Sequence, residues 1–592
     1  MIVDTFMELQ RKSSETMAAA FHAHILEASK KYRATLFNYS RNLQKLINST
    51  GDLNQKKLLD DHLMSLQNSE LIWSLCEILF IDNHAGGLVI TQLLGWIRMH
   101  FEEPDQMYRS IIVEERPEDQ YKYWDCIYCL VLQGQVDEAR RLLSKHSCYS
   151  TEGFQTVDNL LRRMPLLTHL SRGSSVAEFD MKWRHWREEC ENRLRQQEFV
   201  TNRNLSIIVQ ILSGDDTVFT DLKDLCQTWY HMLVSKLLYQ QPTIQASDLH
   251  HHVQSCLDEY RSNNSRISEV DNILILALEF DIHQVIKDSC TLSSNWWFVA
   301  HLTDLLQHCG QLETRRLQFG SNLREFLLLE YAGTLMSHKT LWIVGIHYLD
   351  HCPEFGRRHQ ELYLESLPIE TEMKAQKLFN ICQERNMTDQ AKSICKVVGM
   401  RHLKNNRLGA ALSWFLKSKD VALATVLAEK FLSEYSESGR FSNLDLIDNL
   451  GSSMLLSNKL TFLGKYREFH KLFEEGDSHA AGSLLLSLLQ ARLAPKQFWM
   501  TLFIDVIPLL LAEEIIFNAQ QTFELMHCLE ELITEYRVFR RTTMTPSEEE
   551  KLSLLREALT QNLSRAIITE GTIRIGLIMN VERNILYKVF PI

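Results

Sequence analysis

The sequence contains little proline and glycine, with 10 prolines and 22 glycines among 592 residues. That share is less than half of the about 12% typical of soluble proteins. Because turns between strands favour these two residues, the shortage argues against an all-β protein. It favours long helices with short connections, in a chain whose length corresponds to about four domains of roughly 150 residues.

The sequence also lacks an apolar run long enough to cross a bilayer, which takes about 18 uncharged residues. The best candidate, residues 502–517, is interrupted by Asp505, Glu513 and Glu514. Residues 1–12 have no basic start followed by an apolar stretch, as a secretory signal has. The 13 cysteines are scattered and odd in number, which favours reduced core thiols over a disulfide framework. We therefore expect a soluble intracellular protein.

An excess of positive charge is missing as well. The formal net charge is −12, which argues against a surface dedicated to duplex nucleic acid, because phosphates are bound mainly through Lys and Arg. Hydrophobic residues make up 45% of the chain, enough for a large core, and this excludes disorder along the whole length.

Helical periodicity is clearest between residues 371 and 433, where apolar residues recur at i, i+3, i+4 and i+7. Short polar breaks separate four such sets, at 385–386, 405–406 and 419–420. Breaks this short predict antiparallel neighbouring helices. The sets are Ala375, Leu378, Phe379 and Cys382; Ala391, Ile394, Cys395 and Val398; Leu408, Ala411, Leu412 and Phe415; and Val421, Ala424, Thr425 and Ala428.

Helix–turn–helix signals also surround Gly134 and Gly476, but the units show no fixed period of about 34 or 40 residues. This predicts an all-α, irregular α-solenoid. Residues 71–81, 272–280 and 295–306 are apolar on nearly all sides. Helices of this kind need cover on several sides, so we expect the chain to fold back on itself or to present them to a partner.

Loops are predicted at residues 145–180, 261–268 and 537–547. The last of these ends in a helix start, with Thr545 as the N-cap, Pro546 at the first helical position and Glu548 completing a capping box. Residues 572–592 do not continue the helical pattern.

Motifs for chemistry are scarce. No dinucleotide or Walker-type phosphate loop is present, and Gly464-Lys465 is followed by Tyr466 instead of Ser or Thr. Cys126 and Cys129 have CxxC spacing without a second pair at zinc spacing, which favours two core thiols.

The other candidate residues are histidines and tryptophans. His347 and His351 are four apart on a predicted helix without an evident third ligand. The run 250–252 of three histidines is interpreted as a solvated helix start, and the pair Trp296-Trp297 as buried. An enzyme with an unrecognised site at Cys126, Cys129 or His347 remains a third hypothesis.

Six strings of the sequence resemble one known family. They are residues 70–80 (ELIWSLCEILF), 295–305 (NWWFVAHLTDL), 319–330 (FGSNLREFLLLE), 444–451 (LDLIDNLG), 463–470 (LGKYREFH) and 498–502 (FWMTL). Strings of this length are far more specific than helical periodicity. In this order, over roughly residues 65–570, they resemble the eighty-five-kilodalton nucleoporin family of the Y-shaped nuclear pore scaffold complex.

The resemblance implies an ancestral coatomer element, an irregular helical stack that folds back as crown, trunk and tail. It implies a helical lead-in over residues 1–65, crown and trunk over 66–440, a tail over 441–570 and a divergent extension over 571–592. The implied role is a structural scaffold subunit of the Y complex that supports pore assembly, mRNA export and protein import. No catalytic, cofactor-binding or metal-binding residues are carried over.

The implied location is the nuclear pore complex at the nuclear envelope, and kinetochores in mitosis. The implied partners are other Y-complex nucleoporins, bound through the tail, and a WD-repeat propeller nucleoporin, with no direct contact to nucleic acid and no transmembrane segment. In the family, strands ahead of the helical stack complete that propeller. Residues 6–48 instead predict helix, with Phe21, His24, Ile25 and Ala28 on one face. One interpretation is a shortened form of the family protein.

The alternative function is a subunit of a vesicle coat. Coats and pores are built from the same stacked helices, so the helical pattern by itself does not separate the two classes.

Overall fold

The computed structural model describes residues 2–15, 18–82, 89–165, 176–261, 267–292, 295–312, 322–440, 444–495, 498–540 and 546–589. Across these ranges the regular structure consists of helices, with no β-strand. The predicted all-α fold is thus confirmed, and the helices are joined by connections of irregular length, as an aperiodic stack requires.

The chain divides into two compact units, residues 1–360 and 361–592. The predicted borders of lead-in, crown and trunk, and tail are a finer division of the chain and stay predictions.

The helices of the first unit are α1 (Ile2–Glu15), α2 (Ala18–Ser49), α3 (Leu53–Cys76), α4 (Ile90–His100), α5 (Glu103–Ile111), α6 (Tyr123–Leu132), α7 (Val136–Ser144), α8 (Glu152–Arg163), α9 (Val176–Arg195), α10 (Arg203–Ser213), α11 (Asp216–Asp221), α12 (Trp229–Gln240), α13 (Leu249–Arg261), α14 (Glu269–Leu278), α15 (Ile282–Leu292), α16 (Trp296–His308), α17 (Leu323–Met336) and α18 (Trp342–Leu349).

Helix α19 (Gly356–Ser366) contains the division between the two units. The second unit continues with α20 (Glu372–Glu384), α21 (Thr388–Lys404), α22 (Leu408–Ser418), α23 (Val421–Ser438), α24 (Leu444–Asp448), α25 (Asn458–Glu475), α26 (Ser478–Gln490), α27 (Trp499–Leu510), α28 (Ala519–Arg540) and α29 (Pro546–Val589).

The turns between α20 and α23 lie where the polar breaks predict them. Asn386, Asn406 and Lys419 each adopt a φ of 54°, in the left-handed region that ends a helix. Asn tolerates this conformation because its short side chain hydrogen-bonds locally. Gly134 and Gly476 take the same role after α6 and α25, with φ of 67° and 83°. The four predicted apolar faces are correspondingly buried apart from Val421 and Thr425.

Two of the three helices that are apolar all round are covered within the first unit. Residues 71–76 end α3, and the chain continues as a turn of π-helix, Glu77–Ile81; residues 71–81 are buried except Ile78, which is partly buried. In α16, residues 298–306 are all buried. Cover comes from distant parts of the chain, because α3 contacts α14, and α16 contacts α2 and the π-helical turn. Folding back is therefore confirmed inside this unit. Residues 272–280 are buried only on one side.

Several predictions at the level of elements need correction or stay open. The predicted loop over 145–180 is wrong where α8 and the start of α9 lie, because Val157, Leu160 and Leu161 supply a buried helical face despite the glycine and serines nearby. The helical prediction for 6–48 is confirmed by α1 and α2. Residues 166–175, and Thr545 with its predicted capping box, lie outside the described residues.

Residues 572–589 are also helical, contrary to prediction. Helix α29 runs without interruption through residue 589. The alternating apolar residues of 572–575 suggested an irregular or extended segment, but a long helix already stabilised by packing propagates at little cost through such a stretch.

Candidate functional site

A histidine enclosed by aromatic rings lies in the core of the first unit. His301 of α16 is fully buried, and its ring centroid lies 5.0 Å from those of Tyr32 and Trp297 and 5.5 Å from that of Tyr348. Its Nδ1–H donates to the Trp297 carbonyl at 2.7 Å, so Nε2 accepts from the Tyr348 hydroxyl at 2.9 Å. Burial lowers the pKa of His301 to about 4. Phe6 of α1 packs on the Tyr348 ring at 4.5 Å.

A buried ion pair lies one turn further along α16. Asp304 is 1% exposed, and its Oδ1 accepts from Arg324 Nε of α17 at 2.6 Å. Gln10 of α1 closes the network, because its amide donates to Asp304 Oδ2 at 2.8 Å and its oxygen accepts from Arg324 at 2.9 Å and pairs with His308 at 3.2 Å. Burial by itself would raise the pKa of Asp304, but Arg324 and His308 hold that pKa below its ordinary value. We call these residues and the His301 cluster the Asp304 centre.

The Asp304 centre attaches the first helix of the chain to helices almost 300 residues away. Phe6 supplies the apolar contact and Gln10 the polar one. A buried charge pair with all its hydrogen bonds made fixes one arrangement of the helices, because removing any member leaves the others without partners. Its role is structural.

A second ionic cluster joins α2 to α3. Arg33 donates to Glu70 at 2.9 Å and to Glu77 at 2.8 Å. Ser29 donates to the other oxygen of Glu77 and accepts from the Trp73 indole N–H at 2.9 Å. Burial raises the pKa of Glu70, against the opposing effect of Arg33. About one helical turn of α2, from Ser29 to Arg33, is tied in this way to the segment that carries the first family string.

The second unit has its own polar centre, made by α23, α25 and α27. The Tyr466 hydroxyl donates to Asp505 Oδ2, and the His470 Nε2 lies 4.0 Å from the same oxygen and 3.0 Å from the Tyr435 hydroxyl. Burial raises the pKa of Asp505 to about 6, and burial with the nearby Arg467 lowers the pKa of His470 to about 4. We call this the Asp505 centre.

The CxxC residues lie on α6, and both thiols are buried. Burial raises the pKa of Cys126 and of Cys129 to about 12, which keeps them as protonated thiols at neutral pH and makes them poor nucleophiles. Within the described ranges, no group of three or more His, Cys, Asp or Glu side chains is arranged to hold a metal ion.

The two histidines spaced by four do not share a helix. His347 lies on α18, but that helix ends at Leu349, and His351 follows in the turn. His351 packs against Phe6, with centroids 5.5 Å apart, and its Nε2 is 3.3 Å from the Met7 sulfur. His347 lies 3.9 Å from Asp350. The prediction of one helical face was wrong because Cys352-Pro353 stops the helix.

The remaining candidates lie largely as predicted. His250 and His251 are exposed in the first turn of α13. Trp297 stacks on Trp73 at 5.8 Å, which makes it part of the core packing, although Trp296 and Trp297 are half-buried and not fully enclosed.

A cleft of about 1000 Å³ lies among α4, α7, α8 and α9. Six of its charged side chains form ion pairs: Arg140 with Asp137 at 3.6 Å, Arg163 with Glu189 at 3.4 Å, and Lys182 with Glu178 at 2.6 Å. Paired, solvent-exposed charges of both signs do not select a ligand of one charge.

Several helical surfaces in the described ranges expose large apolar side chains. One is the free end of the α2–α3 hairpin, where Phe37, Tyr39 and Leu53 are 57–81% exposed around a small core. Another lies on α29, where Ile568 and Ile573 are 67% and 57% exposed. Such surfaces mark sites of protein association. None of the helices in the described ranges has both the length and the hydropathy to span a bilayer.

The sequence analysis did not predict the two polar centres, although single charged residues inside apolar stretches indicate them. Asp304 and Arg324 lie inside apolar helical stretches, in the second and third family strings, and Asp505 is the lone charge near the start of an apolar run. A single charge inside an apolar helix must find a buried partner. The sequence does not say which partner.

Comparisons with known proteins point to one family. A family model described as Nup85 Nucleoporin matches residues 1–531. The chain is 44% identical over 580 residues to "Nuclear pore complex protein Nup85" of Xenopus tropicalis and 46% identical over 572 residues to that of Danio rerio; each match covers 96% of this chain and 88% of the relative. It is 29% identical over 595 residues to "Nuclear pore complex protein Nup75" of Drosophila melanogaster, covering 96% and 87% of the two chains.

Proposed function

Since this chain belongs to the Nup85 nucleoporin family, we propose that it works as a structural scaffold subunit of the nuclear pore complex at the nuclear envelope. The observation that carries the proposal is identity of 44–46% over nearly the whole chain to vertebrate nuclear pore proteins. The aperiodic helical architecture supports it, because stacked helices offer long edges and faces for assembly with other subunits.

The site chemistry is consistent with a scaffold. The buried Asp304 and Arg324 pair with each other and, through Gln10, hold helices together. The thiols of the CxxC segment are protonated and enclosed. We propose further that, as a scaffold subunit, the chain supports pore assembly, mRNA export and protein import in the cell.

The proposed partners are other nucleoporins of the Y complex, contacted through the tail, residues 441–570. Large apolar side chains exposed on this segment support the assignment. Phe523 is 56% exposed and Leu554 is 53% exposed. Apolar side chains at the centre of an interface contribute most of its affinity, and their contribution depends little on salt.

The experiment uses the tagged full-length chain at its natural expression level. We expect staining of the nuclear rim and co-purification of other nucleoporins at physiological salt. Golgi or endosomal staining would contradict the proposal and favour a vesicle coat. Replacing the endogenous protein should restore export of polyadenylated RNA and import of a reporter after depletion.

A pair of full-length variants tests the tail. Phe523→Glu with Leu554→Glu should reduce the co-purified nucleoporins, whereas Met181→Glu with Val200→Glu, at side chains 69% and 74% exposed on the first unit, is the control. Equal losses from both variants would contradict a role specific to the tail.

A further inference from the structure

The hairpin formed by α2 and α3 ends in a tip with a small core of its own. That core consists of Leu43, Ile47 and Leu63, with Leu59 and Leu66 partly buried against them, and all five residues come from these two helices. Every residue from 51 to 58 is exposed. The hairpin tip, residues 45–58, is therefore open to a partner on several sides.

The hairpin tip exposes leucine side chains in several directions. Leu46, Leu53 and Leu58 are 49%, 81% and 57% exposed. Leu53 and Leu58 lie about 140° apart around α3, at about 100° per residue, and Leu46 belongs to the other helix. All three lie within about 8 Å of the turn that joins the helices, at about 1.5 Å per residue. A partner must surround the tip in order to cover all of them.

Exposed lysines lie among these leucines. Lys45, Lys56 and Lys57 are each within about 6 Å of the same turn. In the part of the chain that the structure describes, none of the three has an ion-pair partner. Further back on α2 the situation differs, because Lys31 pairs with Glu27 at 2.9 Å. The tip thus combines apolar side chains with cations that this chain does not neutralise.

The acidic residues near the tip do not change this balance. Asp52 is the one acid within residues 45–58, and it caps α3 by accepting from the backbone N–H of Asn54 at 3.0 Å. Asp60 and Asp61 lie about 10–12 Å from the start of α3. Three lysines and one aspartate leave the tip positive, on a chain whose net charge is −12. Charge complementarity therefore calls for an anionic partner.

The shape and composition of the tip decide between kinds of anionic partner. Proteins that bind single-stranded nucleic acid stack its bases on aromatic rings, and residues 45–58 contain none. A flat acidic protein surface placed against the end of two helices, each about 10 Å wide, would cover roughly 200 Å², against about 800 Å² per partner in a standard interface.

A bilayer surface meets both requirements of the tip. Its fluid interface surrounds whatever enters it, and interfacial segments bury their apolar side chains about 5–10 Å deep. That depth matches the band of about 8 Å that contains the three leucines. Lysines bury their aliphatic stems along apolar surface and keep the ammonium group in water, which puts the three cations at the level of the lipid headgroups.

We propose that the hairpin tip inserts its leucines into the interface of an anionic lipid bilayer and holds its lysines against the headgroups. This goes beyond the proposed function, which locates the chain at the nuclear envelope without giving it a contact with lipid. Each lysine near an anionic surface strengthens binding by about fivefold. Binding is reversible, because stable attachment of a peripheral protein takes more than one weak signal.

The test is flotation of the purified full-length chain with vesicles, followed as a lipid titration. We expect binding to vesicles of phosphatidylcholine with phosphatidylserine, and binding at least about tenfold weaker to phosphatidylcholine alone. Added salt should weaken the binding, because it screens the surface potential. No binding, or equal binding to the two kinds of vesicle, would overturn the inference.

A pair of variants tests the leucines. Leu53→Ser with Leu58→Ser should weaken binding to the phosphatidylserine vesicles by more than about tenfold, because apolar burial is lost. Met181→Ser with Val200→Ser, at side chains exposed elsewhere on the first unit, should leave it within about twofold. All four positions are exposed, so circular dichroism should show unchanged folding. Equal effects of the two variants would contradict insertion of the tip.

A second pair tests the lysines. Lys56→Gln with Lys57→Gln should weaken binding by more than about tenfold, at about fivefold for each charge. Lys396→Gln with Lys404→Gln removes the same charge from exposed positions on α21 and should leave binding within about twofold. Equal losses from the two variants would show that net charge, and not the tip, determines the binding.

A benzophenone photo-cross-linker at position 53 of the full-length chain identifies the partner in cells. We expect adducts with lipid, above those from a cross-linker at position 200. Adducts with a protein, with a second copy of this chain or with RNA in place of lipid would overturn the inference, as would no adducts above the control.

These measurements and the proposed function can fail separately. Vesicle flotation needs no other nucleoporin, so its failure in a chain that stains the nuclear rim overturns the inference alone. Absence from the nuclear rim with intact vesicle binding overturns the proposed function and leaves the lipid contact in place.

Discussion

The Asp304 centre and the Asp505 centre contain the same residue types in opposite electrostatic states. Each has an Asp, fully buried at 304 and 24% exposed at 505, a His whose pKa burial lowers to about 4, and tyrosines that hydrogen-bond to them. Asp304 has Arg324 at 2.6 Å, and its pKa is lowered. Asp505 accepts from the Tyr466 hydroxyl and lies 4.0 Å from the neutral His470, and burial raises its pKa to about 6.

A single guanidinium therefore determines what a buried carboxylate does for stability. With Arg324, ionised Asp304 supports the packing of α1 on α16 and α17. Without a cation, ionised Asp505 costs stability at neutral pH, because desolvation disfavours its charged form. The charge of Asp505 therefore destabilises the second unit, whereas the charge of Asp304 is compensated by Arg324 in the first unit.

Removing Arg324 should have the largest effect. Arg324→Met leaves Asp304 charged and buried without its partner, which should destabilise the first unit by about 3–5 kcal/mol. Hydrogen exchange read separately for the two units is the measurement, because a chain of two units need not unfold in one step. We expect the amides of α1, α16 and α17 to exchange faster than in the unsubstituted protein. The exchange rates in α25 and α27 should not change.

Lys182→Met is the matched control, since Lys182 pairs with Glu178 on the surface and is 64% exposed. Its expected cost is below about 1 kcal/mol. Equal effects of the two substitutions would show that burial of the Asp304 pair has no special importance.

The same substitution in the two centres should have opposite signs. Asp304→Asn leaves Arg324 without its counter-charge and should destabilise the first unit by at least about 2 kcal/mol. Asp505→Asn removes a charge that burial disfavours and keeps an oxygen for Tyr466, so it should stabilise the second unit at pH 7 by on the order of 2 kcal/mol. Urea unfolding at pH 7, followed by exchange in each unit, measures both. A loss of stability from both variants would refute the contrast.

The pH dependence should distinguish the centres as well. His301 has a folded pKa below its unfolded value of 6.5, so its contribution to stability is lost as the pH falls from about 6.5 to about 4. His470 behaves likewise, but Asp505 has a raised folded pKa, and its protonation gains stability as the pH falls from about 6 towards 4. The two effects oppose each other in the Asp505 centre, so the contribution of this centre to stability should change little between pH 6.5 and 4.

Two variants remove that balance. With Asp505→Asn, the second unit should lose stability on acidification from pH 6.5 to 4, by roughly 1 kcal/mol per pH unit. With His470→Gln, it should gain stability over about the same range. Thermal unfolding between pH 4 and 7 is the measurement, and parallel pH profiles for the two variants would contradict the assigned pKa directions.

The sequence predicted the helices better than the contacts that distinguish these centres. Periodicity and polar breaks placed α20 to α23, because both signals are local. The loop at 145–180 was wrong because glycine and serines there are outweighed by the buried face of α8. The pairing of Asp304 with Arg324 and Gln10 depends on a long-range fold-back, which local pattern does not encode. The helical course of residues 572–589 was missed because helix propagation from a packed segment overrides weak periodicity.

Deleting one hydroxyl from each centre gives the smallest and most specific comparison. Tyr348→Phe leaves His301 Nε2 buried without its donor, at a cost of about 1 kcal/mol. Tyr466→Phe removes the donor to Asp505, and because that hydrogen bond favours the ionised carboxylate, the pKa of Asp505 should rise further. The hydrogen bond between Tyr348 and the neutral His301 has no such effect on a carboxylate. The pKa of Asp505, measured by NMR titration, should therefore rise in Tyr466→Phe. The carboxyl of Asp304, held by Arg324, should keep its low pKa in Tyr348→Phe.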